Sequence, residues 1–319
     1  MSLPDELEAF ETNVGVVDTS ERGAVLVSGP DAWSYLQSLV SADLDTVGDG
    51  QGVHSLLLTP QGKLDVDFRL LRVGDEVWLD CDPGFGEQLA ASLLRFRIRV
   101  KCDVTDRTAE WGSLAIRGPN AIDAASALDV QVPVAAHSHV PFEDAAVVRT
   151  PWPGGDGFDV IGPAATVAKA ADRLSAAGVP ACSTEAYEAL RIEVGVPRQG
   201  CDLDEKTIPQ EAFLELDAVS FSKGCFLGQE LVCRIDTRGR VNRYLRRLTA
   251  IEDGRPPRGA EIVAGDKVVG TVTSSVAAAE VPAAALGYVR HEVDPPAEVE
   301  LRWDGGAGRA VVEALPTSA

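Results

Sequence analysis

The feature that most constrains this chain is a junction that occurs three times. An apolar run of β character meets Gly-Pro and passes directly into an alanine-rich segment with helical spacing. The three are AVLVSGPDAWSYLQSLV from residue 24, LAIRGPNAIDAASAL from 114 and FDVIGPAATVAKAADRL from 158. Each reads as strand, tight turn and helix. Pro30, Pro119 and Pro163 suit a first helical turn, where the missing N–H has no intrahelical partner to lose, and Gly29, Gly118 and Gly162 permit a sharp entry. The spacing is irregular, which predicts recurring β-α units and not a solenoid.

Between the first two units, KLDVDFRLL alternates strictly. Leu64, Val66, Phe68 and Leu70 fall on one face, and Lys63, Asp65, Asp67 and Arg69 on the other. That is a half-buried strand whose charged side faces solvent or a pocket. Further strands are predicted at about 76–82, 98–104, 111–117 and 145–150, with TPWPGGDG at 150–157 as a turn. TEAYEALRIEV at 184–194 has helical period and ends at Gly195 and Pro197. Strands and helices mix without regular βαβ alternation, so the class is α+β. After about residue 245 the texture changes to short β-like runs broken by Gly and Pro (YLRRLTAI, EIVAG, KVVGTVTSSV, ALGYVR, EVELRW and RAVVEAL), the signature of a small antiparallel β-barrel. The predicted division is 1–244 for an α+β region of two lobes and 245–319 for the barrel.

Composition narrows the function. A chain of 319 residues, 45% hydrophobic, can bury a sizeable core. The opening MSLPDELEAFETN is acidic and no apolar run approaches the ~18 residues that cross a bilayer, which predicts a soluble, cytoplasmic protein with no membrane partner. Six cysteines without CxxC spacing signal neither a disulfide framework nor zinc, and His137 and His139 lack an acid or thiol at ligand spacing, so no metal is expected. A net charge of −20 repels phosphate backbones and makes nucleic acid an improbable partner. The exception is residues 223–247, with seven Lys or Arg against Glu230 and Asp236. Such a run is either a solvated face or a site for an anion.

The densest cluster is VSFSKGCFLGQELVCRIDTRGRVNR at 219–243. Leu227, Leu231 and Ile235 share a stripe, predicting a helix from near Gly228 to just before Gly239, with Lys223 and Cys225 in the loop ahead of it. A helix N-terminus offers free N–H groups and partial positive charge. With Lys223 alongside, this should favour the thiolate of Cys225, making Cys225 and Lys223 the candidate catalytic pair.

The string KGCFLGQE at 223–230 closely resembles the signature of the YgfZ-type folate-binding proteins, within the superfamily of the glycine-cleavage aminomethyltransferases. LTPQGKLDVDFRL at 58–70, ALRIEVGVPRQG at 189–200, IPQEAFLELDAVSF at 208–221 and RGRVNRYLRRL at 238–248 agree in order, so the resemblance covers nearly the whole chain. It implies a cloverleaf of α+β folate-binding lobes with a small C-terminal β-barrel and tetrahydrofolate, or a polyglutamylated or one-carbon derivative, in a central channel. Glu193 then corresponds to the glutamate that hydrogen-bonds the pterin, since a carboxylate accepts two parallel N–H bonds. The resemblance places Asp67 on the same channel, and Lys223, Gly228, Gln229 and Arg234 toward the folate and its anionic glutamate tail. Where aminomethyltransferases carry a catalytic aspartate this chain reads DCDPGFGEQL at 80–89, with Glu87 the nearest substitute. The resemblance thus implies a folate-binding accessory protein in iron–sulfur cluster assembly or repair, whose partners are assembly proteins or client enzymes. The alternatives are a folate-dependent aminomethyltransferase moving a one-carbon unit from an amine donor, and an RNA-contacting protein in tRNA modification.

Overall fold

The computed structural model describes residues 1–153, 155–251 and 254–316. The chain opens with helix α1 (Leu3–Thr12), then β1 (Gly15–Asp18), β2 (Gly23–Ser28), α2 (Ala32–Leu39), β3 (Gly52–Leu58), β4 (Leu64–Val73), β5 (Glu76–Cys81), α3 (Gly86–Phe96) and β6 (Asp103–Asp106). Next come β7 (Trp111–Arg117), α4 (Ala121–Ala124), β8 (His139–Phe142), β9 (Ala145–Arg149), β10 (Gly157–Pro163), α5 (Ala164–Ala176) and α6 (Thr184–Glu193). After α7 (Glu215–Ala218) and α8 (Gln229–Arg238) come the strands β11 (Arg243–Ala250), β12 (Glu261–Ala264), β13 (Lys267–Ser275), β14 (Ala284–Arg290), β15 (Ala297–Trp303) and β16 (Gly306–Glu313).

Three sheets result. One five-stranded sheet runs β3-β4-β5-β2-β6, a second runs β1-β7-β10-β9-β8, and β11-β14-β13-β12-β15-β16 close into a barrel. All pairings within them are antiparallel. The fold is therefore the mixed α and β architecture with a C-terminal barrel expected from the sequence, and each of the six apolar runs after residue 243 supplies one barrel strand. The first sheet packs its inner face under α2 and α3 around Leu36, Phe68, Leu70 and Leu89. The second buries Ile116, Phe158 and Val160 under α5. The outer faces meet through Leu71, Trp78, Ala146, Val148 and Ile161, with Trp78 edge-on to Trp111 at 4.4 Å.

The three Gly-Pro junctions do join strands to helices, and their glycines hold φ of +111° (Gly29), +122° (Gly118) and +155° (Gly162). The prolines sit one or two positions earlier than expected. Pro163 precedes Ala164 at the N-cap, while Pro30 and Pro119 lie two residues ahead of their helices, so their fixed φ shapes the turn and not the first helical residue. The predicted strand at 98–104 is also displaced. Residues leaving α3 turn back through Arg99 at φ +58°, and pairing with β2 begins only at Asp103. The turn at 150–157 includes Gly154, which lies outside the described residues; within it Trp152 bridges Gly155.

Gly118 illustrates how closely the turns fit. A Cβ there would stand 2.4 Å from the Asn13 carbonyl oxygen, at a φ where side chains are strained in any case. Gly118→Ala is expected to destabilise the fold by about 1–3 kcal/mol, read as a lowered midpoint in chemical denaturation; an unchanged midpoint contradicts this packing.

Candidate functional site

A cavity of about 1080 Å³ opens where both sheets, α6, residues 212–217 and the chain end at Leu315 and Pro316 converge. An unbroken series of ion pairs runs along and beneath its floor, with Asp80 buried under the lining residues. Arg22 meets Asp80 at 2.5 Å and Asp82 at 2.9 Å, Arg69 meets Asp80 at 2.6 Å and Asp159 at 2.8 Å, and Arg117 meets Asp159 at 2.8 Å. Thr150 links two of these groups, accepting from Arg69 at 2.8 Å and donating to Asp159 at 2.7 Å. Arg69 and Asp80 belong to the first sheet, Arg117 and Asp159 to the second, so the series crosses the lobes. Burial opposes the charged form of Asp159, but Arg117 and Arg69 prevail and hold its carboxyl well below the ordinary range. At Asp82 burial prevails over Arg22 and pushes the carboxyl up.

The strict alternation of β4 explains how Asp67 and Arg69 reach this floor. Val66, Phe68 and Leu70 are buried in the first lobe, which turns Asp67 and Arg69 of the opposite face into the cavity. Asp67 contacts His54 at 2.5 Å, and Gln199 accepts from its backbone N–H. Burial works against a charged His54, yet Asp67 outweighs it and raises the imidazole above 6.5.

Helix α6 forms a second wall. Thr184, Tyr187, Glu188 and Arg191 share the face that lines the cavity. Glu188 joins Arg191 at 2.8 Å and Arg198 at 2.5 Å, while Arg191 continues to Asp202 at 2.8 Å and to Ser274 of the barrel at 3.0 Å. The apolar wall contains Trp152 stacked on Tyr187 at 5.4 Å, with Arg117 4.7 Å over the Trp152 ring, followed by Phe213, Leu214 and Leu315.

The residues singled out in the sequence divide sharply. Asp67 lines the cavity; Glu193, Lys223, Cys225, Gly228, Gln229 and Arg234 are absent from its lining. Glu193 lies two residues past Arg191, about 200° around the helix, and so points away from the face that carries Glu188. Its backbone carbonyl instead accepts from Arg247 at 2.8 Å. Lys223 is 8% exposed, and its ammonium donates to the carbonyls of Gln37, Val40 and Ala42 at 2.6–2.8 Å. These close the C-terminal end of α2, and since an ammonium has three donors, none is left for a folate carboxylate or for Cys225. Burial pushes the Lys223 pKa down to about 8, with Asp43 and Asp45 opposing.

Helix α8 spans Gln229–Arg238 as the sequence indicated, with Cys225 exposed ahead of it. Gly228 sits at φ +79° where a Cβ would stand 2.5 Å from the Thr59 carbonyl oxygen, so its role is to let α8 approach the Gly62 turn. Arg234 pairs with Glu230 at 2.5 Å on the exposed side of the helix. Glu87 is exposed in α3, and the acid that this segment contributes to the cavity is Asp82. Sequence reasoning missed Arg22, Arg117, Asp159 and Glu188. The available signal was a charge inside an otherwise buried strand: Asp159 between Phe158 and Val160, and Arg117 closing LAIR.

With the cavity described, comparison with known proteins gives its class. The model of the GCVT N-terminal domain matches residues 2–223. The aminomethyltransferase of Rubrobacter xylanophilus is 30% identical, covering 93% of this chain and 82% of that one. A probable aminomethyltransferase of Natronomonas pharaonis is also 30% identical, covering 99% and 90%. The crystal structure of the glycine cleavage system aminomethyltransferase T from Bartonella henselae superposes with a TM-score of 0.87 over 99% of this chain and 89% of that one, at 23% identity. The chain belongs to the GCVT aminomethyltransferase family. Among the described residues no helix is long and apolar enough to cross a membrane.

Two outcomes check this geometry. Lys223→Ala is expected to lower stability by about 2 kcal/mol or more, because buried carbonyls lose their donor, while the alkylation rate of Cys225 stays as in the unaltered protein; a slowed rate would restore the Lys223–Cys225 pairing. In Asp67→Asn the His54 midpoint, followed by proton NMR, is expected to fall. Because folded His54 holds its proton more tightly than the ordinary 6.5, its pairing supports the fold below that pH and fades as pH rises through the folded midpoint. A midpoint that does not move would show that Asp67 is not its partner.

Proposed function

We propose that this chain binds tetrahydrofolate in the central cavity and moves a one-carbon unit between an amine donor and that cofactor. In this reading residues 1–244 form the folate-binding region and 245–319 the barrel domain. Tetrahydrofolate is the cofactor of the GCVT family. The observation that carries the reading is the cavity itself: roomy enough for a reduced folate, walled on one side by Trp152, Tyr187, Phe213 and Leu214, and faced on the other by carboxylates.

The residues present fit the cofactor. A pterin needs a flat apolar surface and a carboxylate for its parallel N–H donors. Trp152 and Tyr187 offer the surface. Asp67 gives one oxygen to His54 and keeps the other for a ligand, whereas both oxygens of Glu188 are held by Arg191 and Arg198. When bound, tetrahydrofolate supplies the secondary amine that takes up the one-carbon unit. Asp82 also lines the cavity, with one oxygen accepting from Arg22 and the other from the Gln199 N–H, and burial pushes its carboxyl up.

A second reading, the YgfZ-type role in iron–sulfur cluster assembly or repair, is favoured by the KGCFLGQE string and the exposed thiol of Cys225 within it. It requires that Cys225→Ala abolish a cellular iron–sulfur phenotype while leaving folate affinity intact.

Calorimetric titration with tetrahydrofolate is expected to show saturable binding, weakened ~10-fold or more by Trp152→Ala through loss of aromatic contact. Adding sarcosine or dimethylglycine as donors then tests for a one-carbon folate product. Absence of saturable binding refutes the folate reading; binding without product from any amine donor refutes the transfer and leaves the second reading.

A further inference from the structure

A histidine–carboxylate pair stands in the cavity beside the ion-pair series. His54 lies on β3, opposite Arg69 and diagonal to Asp67 on β4, so strand alternation turns the three side chains to one face. Its side chain lines the cavity and is 24% exposed. Nε2 meets Asp67 Oδ1 at 2.5 Å, while Nδ1 makes no hydrogen bond to another described residue. A bond from one ring nitrogen fixes the ring and leaves the other nitrogen to do the work.

The titratable groups around it are committed or locked in one charge state. Both oxygens of Asp82 accept hydrogen bonds, from Arg22 and from the Gln199 N–H, and both oxygens of Glu188 are held by arginines. Asp159 lies between Arg69 and Arg117. Burial pushes His137 down to about 3, with Arg69 and His54 adding to the effect, and pushes Tyr187 up, so both stay neutral near neutral pH. His54 moves the other way. Burial opposes its charge, but Asp67, then Asp217 on α7 and Asp82 after β5, outweigh it. Arg69, its neighbour across the strand pair, is neutralised by Asp80 and Asp159. The cavity thus holds an anchored imidazole able to gain and lose a proton near neutral pH.

We propose that His54 is the proton carrier of the transfer: Asp67 holds Nε2–H, and Nδ1 exchanges a proton with the amine that gives up or receives the one-carbon unit. This rests on the transfer reading above and adds to it the residue that moves the proton. As the carbon–nitrogen bond of the donor breaks, its nitrogen leaves with the Nδ1 proton. The nitrogen that accepts the carbon loses its own proton as the new bond forms, and Nδ1 takes that proton back. The carbon keeps its oxidation level, so the donor class is an aminomethyl compound whose carbon already bonds two heteroatoms.

Proton NMR gives the His54 midpoint in the unaltered protein and in Asp217→Asn, with and without tetrahydrofolate; removing that facing carboxylate is expected to lower it. Both proteins are then given methylenetetrahydrofolate, isotope-labelled in the bridging carbon, with ammonium as the incoming amine and water supplying the hydroxyl of the aminomethanol released, which is trapped with dimedone. In this direction Nδ1 must be free to take the proton of the amine. The rate should therefore rise with pH through the His54 midpoint, and in Asp217→Asn that limb should shift to lower pH by as much as the NMR midpoint does. His54→Gln, which keeps a donor for Asp67, is expected to lose the limb and ~100-fold in rate. Calorimetry should show its tetrahydrofolate affinity within about threefold of the unaltered protein. The proposal is overturned if the limb stays in place while the NMR midpoint moves, if His54→Gln turns over as the unaltered protein does, or if its rate falls only in step with lost affinity. An unaltered protein that binds tetrahydrofolate but releases no carbon to ammonium above the protein-free background loses the transfer reading and this proposal together, whereas turnover that survives in His54→Gln removes the proposal alone.

Discussion

The rest of the site depends on the buried Arg–Asp series that joins the two lobes. Arg22, Arg69 and Arg117 balance Asp80, Asp82 and Asp159 in charge, and Arg69 reaches across to Asp159 on the other sheet. Desolvating such groups is costly, and a buried pair is weak evidence for net stability. Its consequence here is geometric. Removing any one member leaves an uncompensated charge, so the lobes are held to a single relative placement, and the cavity floor inherits that rigidity. The apolar contact behind it, through Leu71, Trp78, Val148 and Ile161, supplies the burial that the charged series does not.

The barrel is attached to this frame through α6. Arg191 spans from Glu188 at the cavity to Asp202 and then Ser274 on β13. Thr273 donates to the other oxygen of Asp202 at 2.5 Å. Arg247 on β11 reaches both Glu313 and the carbonyl of Glu193, and Leu315 packs against Gly195 just past the helix end. The chain end that follows the barrel, at Leu315 and Pro316, therefore completes one wall of the cavity. That wall carries Phe213, whose aromatic and cationic neighbours come from β11. The strand that opens the barrel thus backs Phe213 from outside the cavity.

The KGCFLGQE string shows a different use of charge. Lys223 is placed by its ammonium, which satisfies three carbonyls beyond the last turn of α2, and Gly228 by the absence of a Cβ against Thr59. Both residues lock the segment 219–238 onto the first lobe. Cys225, lying between them, is left exposed on a loop whose two ends are fixed.

What the sequence by itself determined was local. Gly-Pro turns with their positive-φ glycines, the alternation of β4, the extent of α6 and α8 and the six barrel strands are set by periodicity, backbone sterics and turn chemistry within a few residues. The resemblance carried by KGCFLGQE and its companion strings reached the aminomethyltransferase superfamily for the same reason, since it is a property of the string. Only the tertiary structure decided which charges share a cavity. Asp67 could be placed because strand alternation fixes its face, but Glu193 and Glu188 differ by five residues on one helix, and which of the two faces the cavity depends on how α6 docks between the lobes and the barrel. Lys223 stands two residues from Cys225 in sequence, but its buried ammonium goes to the carbonyls at the end of α2, more than 180 residues earlier in the chain.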